Sequence, residues 1–271
     1  MNKSLNIYIA TSDPNVFIIK YFQYFFNKYW DEKTTVTVLG FTKPKFKLKK
    51  NFKFISLSEK QRGGVNCWSN YLINYFSTIK DKYFIFGIDD FMIARPVNHK
   101  ILQTCISILN NDIGRIDLQP MQYARHPSLF KFYSSINNVK FYELSQGHLF
   151  RKTYRVSGAF SIWNKDWFLK NIDKYMTPWE WEIKGSLKAN NDGFKVLCTF
   201  DKWSVKKLEV LSNAAWPGYI NITGLRKQDI NIMEKLVSKD DRITKFKSLP
   251  DKKFYYEEYA GKDWLKKIFG K

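Results

Sequence analysis

The sequence is poor in the residues that build disulfide-bonded or zinc-stabilised scaffolds. Its cysteines are Cys67, Cys105 and Cys198, which lie far apart and form no Cys-x-x-Cys pair. An odd and scattered set argues against a disulfide framework or a structural zinc site. It fits a reducing compartment, and we therefore expect a cytoplasmic protein.

Long apolar runs and common catalytic motifs are also missing. No apolar run approaches the roughly 20 residues that span a bilayer, and the first stretch, 5–10, is interrupted by Asn6. We therefore expect neither a membrane-spanning segment nor a signal peptide there. The motifs His-Glu-x-x-His, Gly-x-x-x-x-Gly-Lys-Ser/Thr and Gly-x-Gly-x-x-Gly are absent, which excludes the zinc-protease, P-loop and dinucleotide-binding signatures.

Acidic residues are scarce relative to basic ones. The 271 residues include 45 Lys and Arg against 25 Asp and Glu, a formal charge of +20. A field of that sign favours an anionic partner: nucleic acid, an anionic lipid surface or a phosphorylated small substrate. Part of the excess is local, since 43–62 carries eight basic residues against Glu59. The simpler interpretation of that stretch is a solvated loop and strand edge, where lysines block unwanted strand pairing.

Apolar and aromatic residues, by contrast, are abundant. The chain is 44% apolar and contains 23 Phe, 16 Tyr and 9 Trp, a composition that excludes intrinsic disorder. Periodicity predicts strands and helices in the order β-α-β-β-α-β, a layered α/β pattern. These elements are strands at 5–10, 34–41, 52–57 and 83–93 and helices at 17–30 and 65–79. Further on, we predict helices at 98–109, 165–175, 179–189 and 228–237 and strands at 114–118, 155–163 and 194–200.

Two adjacent aspartates interrupt the most apolar of these strands. The stretch 83–93, YFIFGIDDFMI, is apolar apart from Asp89 and Asp90, which is typical of a strand covered on both faces in a parallel sheet. Ligand sites in open α/β sheets gather at the carboxyl ends of the strands. A divalent cation there would offset the repulsion between the two carboxylates and could bridge a nucleotide diphosphate. The alternative is an aspartate pair that caps a turn or the next helix.

A second unusual feature is the run PWEWE at 178–182. Two carboxylates between indoles are typical of a wall that packs on a sugar ring and carries a general base. On a helix, Glu180 and Glu182 point about 200° apart, whereas Trp179 and Glu182 share a face. Glu182 is therefore the better candidate for the base, with Trp179 and Trp181 as the aromatic platform for an acceptor. The alternative is that the glutamates favour the helix dipole and the tryptophans are core residues.

The order of these motifs resembles nucleotide-sugar glycosyltransferases of the GT-A fold. The resemblance covers about 5–225 and rests on the succession of a Thr-Ser-Asp loop after the first strand, Trp68-Ser69, FGIDDFMI, SGAFSIW and PWEWE. It is greatest with bacterial or viral enzymes that build surface polysaccharide or lipopolysaccharide. The resemblance implies an α/β fold with a GT-A-like (Rossmann-like) mixed, mostly parallel central sheet flanked by helices. We expect a single such domain over 1–245, followed by a basic and aromatic tail at 246–271.

The resemblance also implies roles for individual residues. In such enzymes an acidic motif holds a divalent metal, Mn²⁺ or Mg²⁺, against the donor diphosphate, and an acidic residue removes the proton of the acceptor hydroxyl. Here the aspartate pair is followed by Phe91 rather than by a further aspartate. The implied set is Asp89 and Asp90 for the metal, Thr11, Asp13, Arg62, Trp68 and Asp89 for the donor, Glu182 or else Glu180 as the base, and Trp179 and Trp181 for the acceptor.

The expected activity is therefore transfer of a sugar from a nucleotide-sugar donor to a saccharide acceptor, with inversion. The acceptor class includes lipid-linked saccharides and lipopolysaccharide, and the tail segment 264–269, WLKKIF, suits peripheral contact with an anionic membrane at its inner face. The alternative for the tail is a short helix that packs on the domain. Two other functions stay open. The first is a basic nucleic-acid-binding protein, although the sequence contains no nucleic-acid module and no specific nucleic acid is expected. The second is a sugar nucleotidyltransferase of similar fold, although 11–15 lacks the glycine and the basic residue that are usual there.

Overall fold

The computed structural model describes residues 4–59, 67–118, 127–146, 154–199, 205–207, 219–221, 225–238 and 245–247. The chain divides into two compact units, Met1–Lys206 and Lys207–Lys271. The α/β sheet lies within the first unit. The sequence instead predicts a boundary between 245 and 246, which stays a prediction because 248–271 lies outside the described residues.

The elements of the first unit follow the predicted alternation closely in its first third. The strands are β1 (Ile7–Ala10), β2 (Val36–Gly40), β3 (Phe52–Ser56), β4 (Tyr83–Ile88), β5 (Phe91–Ile93), β6 (Ile113–Asp117), β7 (Phe130–Ile136), β8 (Val139–Leu144), β9 (Ser161–Asn164) and β10 (Lys195–Thr199), and β11 (Val205–Lys207) lies at the unit boundary. The helices are α1 (Ile19–Tyr29), α2 (Trp68–Thr78), α3 (His99–Ser107), α4 (Lys165–Lys170), α5 (Pro178–Glu180) and α6 (Ser186–Lys188). Short 3₁₀ turns lie at Val16–Ile18 and Pro127–Leu129, and a π-helical turn, Trp181–Gly185, joins α5 to α6.

Nine strands form one mixed sheet in the order β3-β2-β1-β4-β9-β6-β10-β8-β7. The first four are parallel to one another. Strand β9 runs antiparallel to both β4 and β6, β10 is parallel to β6, and the β7-β8 hairpin is antiparallel. The sheet is therefore mixed, with mostly parallel pairing on one side, which confirms the predicted fold class.

The aspartate pair ends a strand rather than interrupting one. The sequence predicts a continuous strand over 83–93, but the structure places a turn at Asp89 and Asp90 between β4 and β5. Strand β4 lies in the middle of the sheet, and its residues are buried from Tyr83 to Gly87, while Ile88 is half-buried. Two adjacent carboxylates are costly to hold in a buried ladder, so the chain turns where they occur.

An aromatic core fills one face of the sheet in its centre. Trp181 packs against Trp68 and Trp163, each at 5.5 Å between ring centroids, and against Phe168 at 5.3 Å. These side chains are buried, and burying an aromatic side chain of this size contributes a few kcal/mol. Helices α2 and α4 and the turn at Trp181 are held to the sheet by this cluster.

The region before β9 differs from its prediction. The sequence predicts a strand over 155–163, but only Ser161–Asn164 is extended, and the preceding residues form bends. The buried guanidinium of Arg155 anchors this irregular stretch, because it donates to three backbone oxygens from other parts of the chain, those of Ala189, Leu144 and Phe194. These bonds fasten the stretch to the end of β8 and to the residues between α6 and β10.

The β7-β8 hairpin has no counterpart among the predicted elements. Its turn residues, Asn137 and Asn138, have φ values of +50° and +64°. Two consecutive positive φ angles are the signature of the type I′ turn, which asparagine tolerates. The Asn-Asn pair was therefore the available signal for this hairpin.

The second unit is described only in three short stretches. Strands β12 (Tyr219–Asn221) and β13 (Lys245–Lys247) pair in parallel, and helix α7 (Lys227–Leu236) buries Asp229 and Met233. The helix agrees with its predicted range, 228–237. Across the described parts of both units, no helix combines the length and the apolarity that crossing a bilayer requires.

Candidate functional site

The ends of β1 and β4 bring two predicted site residues together. Ala10 and Ile88 are register partners in these parallel strands, so Thr11 and Asp89 follow them side by side. The Thr11 hydroxyl donates to Asp89 Oδ2 at 2.5 Å, and the Asp89 amide donates to the Ala10 carbonyl at 3.0 Å. Both side chains are buried. The carboxyl edge of the parallel strands, where ligand sites of such sheets form, thus carries a buried carboxyl–hydroxyl pair.

The loop after β1 is also tied to the loop after β2. Asp13 Oδ1 accepts a hydrogen bond from the Thr42 amide at 2.8 Å. The Asp13 carboxylate therefore fixes two neighbouring strand-end loops in one arrangement. Its predicted contact with a donor base or ribose stays a prediction.

Burial dominates the electrostatics of the aspartate pair. It raises the pKa of Asp89 well above the usual range, and the nearby charge of Asp90 acts in the same direction, while the Thr11 hydroxyl opposes it. Asp90 itself is partly exposed. Within the described residues, no group of three His, Cys, Asp or Glu side chains converges as an ion site. Two carboxylates suit a Mg²⁺-like ion that takes its other ligands from water and substrate phosphates, so the pair fits an ion that arrives with a diphosphate.

The backbone of one glycine connects Glu182 to the last residue of β4. Its Oε1 accepts from the Gly158 amide at 2.7 Å and from the Ser157 hydroxyl at 3.0 Å. The Gly158 carbonyl in turn accepts from the amide of Ile88, the residue before Asp89, at 3.1 Å. A Cβ at Gly158 would lie 3.0 Å from Ile88 Cδ1, so only glycine allows this close approach without displacement.

The other glutamate of PWEWE, Glu180, caps the start of its helix. Glu180 forms a capping box with Thr177: its Oε2 accepts from the Thr177 amide at 2.9 Å, and its own amide donates to the Thr177 hydroxyl. Lys184 donates to Glu180 Oε1 at 2.9 Å. The hydrogen bond from the Thr177 amide is the main cause of a lowered pKa of Glu180, and Lys184 lowers that pKa further. A carboxylate engaged in this way caps the helix, and Glu180 is therefore a poor candidate for the base.

Two predicted binding tryptophans belong to the core instead. Trp181 is fully buried, and Trp68 is only 6% exposed, so their rings pack in the aromatic cluster and offer no face to a sugar or a nucleotide. The alternative interpretation, that the tryptophans of PWEWE are core residues, holds for Trp181. Trp179 differs from both, because it is 48% exposed. It keeps its predicted role at the acceptor as a proposal.

Arg115 is a site neighbour that the sequence reasoning missed. Its guanidinium is buried above the Trp163 ring at 5.5 Å and donates to Asp117 at 3.3 Å. Burial lowers the pKa of Arg115, while the charges of Asp117 and Glu182 oppose that shift. The guanidinium therefore lies within electrostatic reach of the Glu182 carboxylate. The available signal was the pair of opposite charges, Arg115 and Asp117, inside the predicted short strand 114–118.

The remaining predicted donor residue, Arg62, lies outside the described residues. The structure thus brings Thr11, Asp89 and Glu182 into one hydrogen-bonded neighbourhood that runs through Gly158. It places Asp13 on the adjacent loop and Trp179 on the exposed side of the helix that carries Glu182.

Comparisons with known proteins give similarities of fold. No protein-family model matches the chain, and no curated protein matches it either. Among solved structures, the S. aureus TarS 1-349 structure is 12% identical, with a TM-score of 0.43, over 75% of this chain and 60% of TarS 1-349. The apo structure of the bifunctional glycosyltransferase WbbM is 7% identical, with a TM-score of 0.41, over 69% and 38%. CMP:2-keto-3-deoxy-manno-octonic acid synthetase complexed with CTP is 13% identical, with a TM-score of 0.38, over 74% and 93%.

The chain spans about 60% of the TarS structure and less of WbbM. At TM-scores below 0.5, none of these likenesses assigns an activity.

Proposed function

We propose that the protein is a nucleotide-sugar glycosyltransferase of the GT-A kind that transfers a sugar to a saccharide acceptor with inversion. The observation that carries the proposal is the placement of Glu182 beside the carboxyl end of β4. One glycine connects its carboxylate to the strand that delivers Asp89 and Asp90. A base and a phosphate-directed acidic pair are the two groups that in-line displacement at a sugar needs.

In this mechanism Glu182 removes the acceptor proton. The acceptor oxygen forms a bond to the anomeric carbon as the bond from that carbon to the diphosphate oxygen breaks, and the electron pair leaves with the nucleoside diphosphate. The proton passes to the Glu182 carboxylate, whose Oε1 is held by Ser157 and Gly158. Because both donors are fixed, the carboxylate needs little reorganisation during the step.

The acidic pair acts on the leaving group. Asp89 and Asp90 would hold a Mn²⁺ or Mg²⁺ ion, and such an ion would supply positive charge to offset the charge on the departing diphosphate. Thr11 orients Asp89, and Asp13 fixes the loop that approaches the nucleoside. The resemblance assigns Arg62 a further positive charge toward the donor.

Trp179 supplies the acceptor side. Its exposed indole suits stacking on the apolar face of a sugar ring. We also propose that the acceptor belongs to lipopolysaccharide or another lipid-linked saccharide, which the protein meets at the cytoplasmic face of the membrane. The basic and aromatic tail, 246–271, fits that setting by composition.

A ligand screen followed by product analysis tests the proposed function. We expect nucleoside diphosphates and some nucleotide sugars to raise the melting temperature, and Mn²⁺ or Mg²⁺ to enlarge the shift. Incubation of the stabilising nucleotide sugar with saccharide acceptors should release a nucleoside diphosphate. Release of pyrophosphate from a nucleoside triphosphate and a sugar phosphate would instead identify a nucleotidyltransferase. Stabilisation by nucleic acid alone would overturn both assignments.

A further inference from the structure

A row of lysines covers one flank of the sheet, away from the groups of the proposed reaction. We call 43–53 the lysine segment. No acidic residue occurs between Glu32 and Glu59. The lysines of the segment are all exposed: Lys43, Lys45, Lys47, Lys49, Lys50 and Lys53. In the part of the chain that the structure describes, none of them forms an ion pair.

The segment is held in place, so the lysines form a fixed surface. Between them, Pro44 is buried and Phe46 and Leu48 are half-buried, which directs apolar groups inward and charges outward. The Lys49 amide donates to Gln23 Oε1 of α1 at 3.0 Å, and Asn51 Nδ2 donates to the Thr34 carbonyl at 3.1 Å. Charges on a backbone that is already held in place lose less backbone entropy on binding than charges on a disordered tail.

Only the first end of the segment adjoins the site edge. It begins one residue after Thr42, whose amide is bonded to Asp13 in the loop after β1. It then crosses to the amino end of β3, the outermost strand of the nine-stranded sheet, where Phe52 pairs with Val36 at the start of β2 and Ile55 is exposed. The lysines therefore extend along the outer flank of the sheet from its carboxyl edge to its amino edge.

The side chains favour a diffuse anionic surface over a nucleic acid. All six cations are lysines, which act as point charges and lack the planar fork with which arginine reads individual phosphates. Single-stranded nucleic acids also require exposed aromatic faces for stacking. In the segment, Phe52 is buried, and Phe46 is half-buried with the Lys20 ammonium 5.7 Å from its ring centroid.

From these observations we infer that the lysine segment is a docking surface for an anionic lipid bilayer. Lysines near such a surface contribute additively, and an exposed aliphatic side chain such as Ile55 adds a small apolar contact. The inference depends only on the flank of the sheet and is independent of the proposed reaction. It also differs from the suggestion that the tail contacts the membrane, because the segment lies in the first unit.

Vesicle co-sedimentation of the full chain tests this inference. The test variant replaces Lys45, Lys47, Lys49 and Lys50 by Gln and leaves Lys53 in place, so that protection of the edge strand β3 is retained. The control variant replaces Lys80, Lys100, Lys131 and Lys174 by Gln; these residues are also exposed but scattered. Both variants lose the same four charges, and equal melting temperatures confirm that both fold.

On vesicles of phosphatidylcholine with phosphatidylserine, we expect the test variant to lose at least about tenfold in partitioning, whereas the control loses less than about threefold. Binding of the parent chain should weaken with salt and vanish on pure phosphatidylcholine. Equal losses in the two variants, or unchanged binding of the test variant, would overturn the inference. So would a test variant that loses retention of poly(dT) while its binding to the anionic vesicles stays unchanged.

Discussion

The two halves of the nine-stranded sheet deliver their site residues in different ways. In the parallel half, β3-β2-β1-β4, Thr11 and Asp89 meet because their strands are neighbours and end at the same edge. In the mixed half, Glu182 reaches the site through Ser157 and Gly158, which lie 25 and 24 residues away in sequence. Strand order alone places the first pair, whereas the second contact depends on how the irregular loop 154–160 before β9 is held.

What holds that loop also differs in kind. The parallel half is held by apolar burial, with β1 and β4 almost wholly in the core. The loop of the mixed half depends on a few buried polar groups, above all Arg155 and its three carbonyl partners. Apolar packing tolerates small changes, but a buried polar group without its partner costs the full desolvation free energy. We therefore expect the geometry around Glu182 to be the more easily disrupted of the two.

The largest effect is expected at the parallel half. Asp90→Ala should abolish sugar transfer, since it removes a partly exposed carboxylate that the proposed reaction assigns to the metal ion and the leaving group. The melting temperature should stay close to that of the parent chain. Transfer assays with matched thermal melts provide the measurement. A collapsed melting temperature would show instead that the aspartate pair is a structural turn cap.

Glu182→Gln should reduce turnover by about 10² to 10⁴, the usual range for the loss of a general base. Donor binding should be unchanged, because the amide still accepts from Ser157 and Gly158. The matched control is Glu180→Gln, which should leave turnover near normal and lower the unfolding free energy by about 1 kcal/mol through a weaker helix cap. An inactive Glu180→Gln beside a normal Glu182→Gln would reverse the assignment of the base.

Arg155→Ala tests whether the mixed half depends on buried polar contacts. It leaves three buried carbonyls and Asp192 without their cation, and we expect a loss of about 3–5 kcal/mol in the free energy of unfolding. Urea denaturation measures this loss. The control is Lys170→Ala, because Lys170 is 47% exposed and pairs with the same aspartate at 3.6 Å; its loss should stay below about 1 kcal/mol. Similar losses in both variants would show that the buried contacts of Arg155 stabilise the fold no more than an exposed ion pair does.

The sequence predicts the parallel half of the sheet better than the mixed half. Local periodicity identifies β1, α1 and α2, and the rule that sites form at strand ends places Thr11 beside Asp89. No local pattern indicates that Arg155 binds three carbonyls, or that Trp181 and Trp68 pack against each other in the core, since both depend on contacts across long sequence separations. The π-helical turn at Trp181–Gly185 likewise changes the angles between PWEWE side chains from those of a regular α-helix.

A pH comparison probes the burial of Asp89. Because burial raises its pKa, the folded state binds more protons than the unfolded state at pH values above about 4, so the free energy of unfolding falls as pH rises through that window. Asp89→Asn cannot ionise and still accepts from Thr11. We expect it to be more stable than the parent, with a gap that widens as pH rises, in thermal melts with a chelator present. A gap that does not change with pH would show that Asp89 ionises freely in the folded state.

The smallest effect is expected at the exposed edge of the mixed half, where Trp179 projects from the helix that carries Glu182. Trp179→Ala removes an indole that is 48% exposed, so the free energy of unfolding should change by less than about 0.5 kcal/mol. If the indole stacks on the acceptor, the acceptor KM should rise by about two- to tenfold, the range expected for one aromatic contact. The donor KM should stay constant. The matched control is Leu187→Ala, because Leu187 in α6 is also an exposed apolar residue; this substitution should change neither the donor KM nor the acceptor KM. An equal rise of the acceptor KM in both variants would place the acceptor contact elsewhere, because a specific stacking contact depends on the indole and not on general apolar surface.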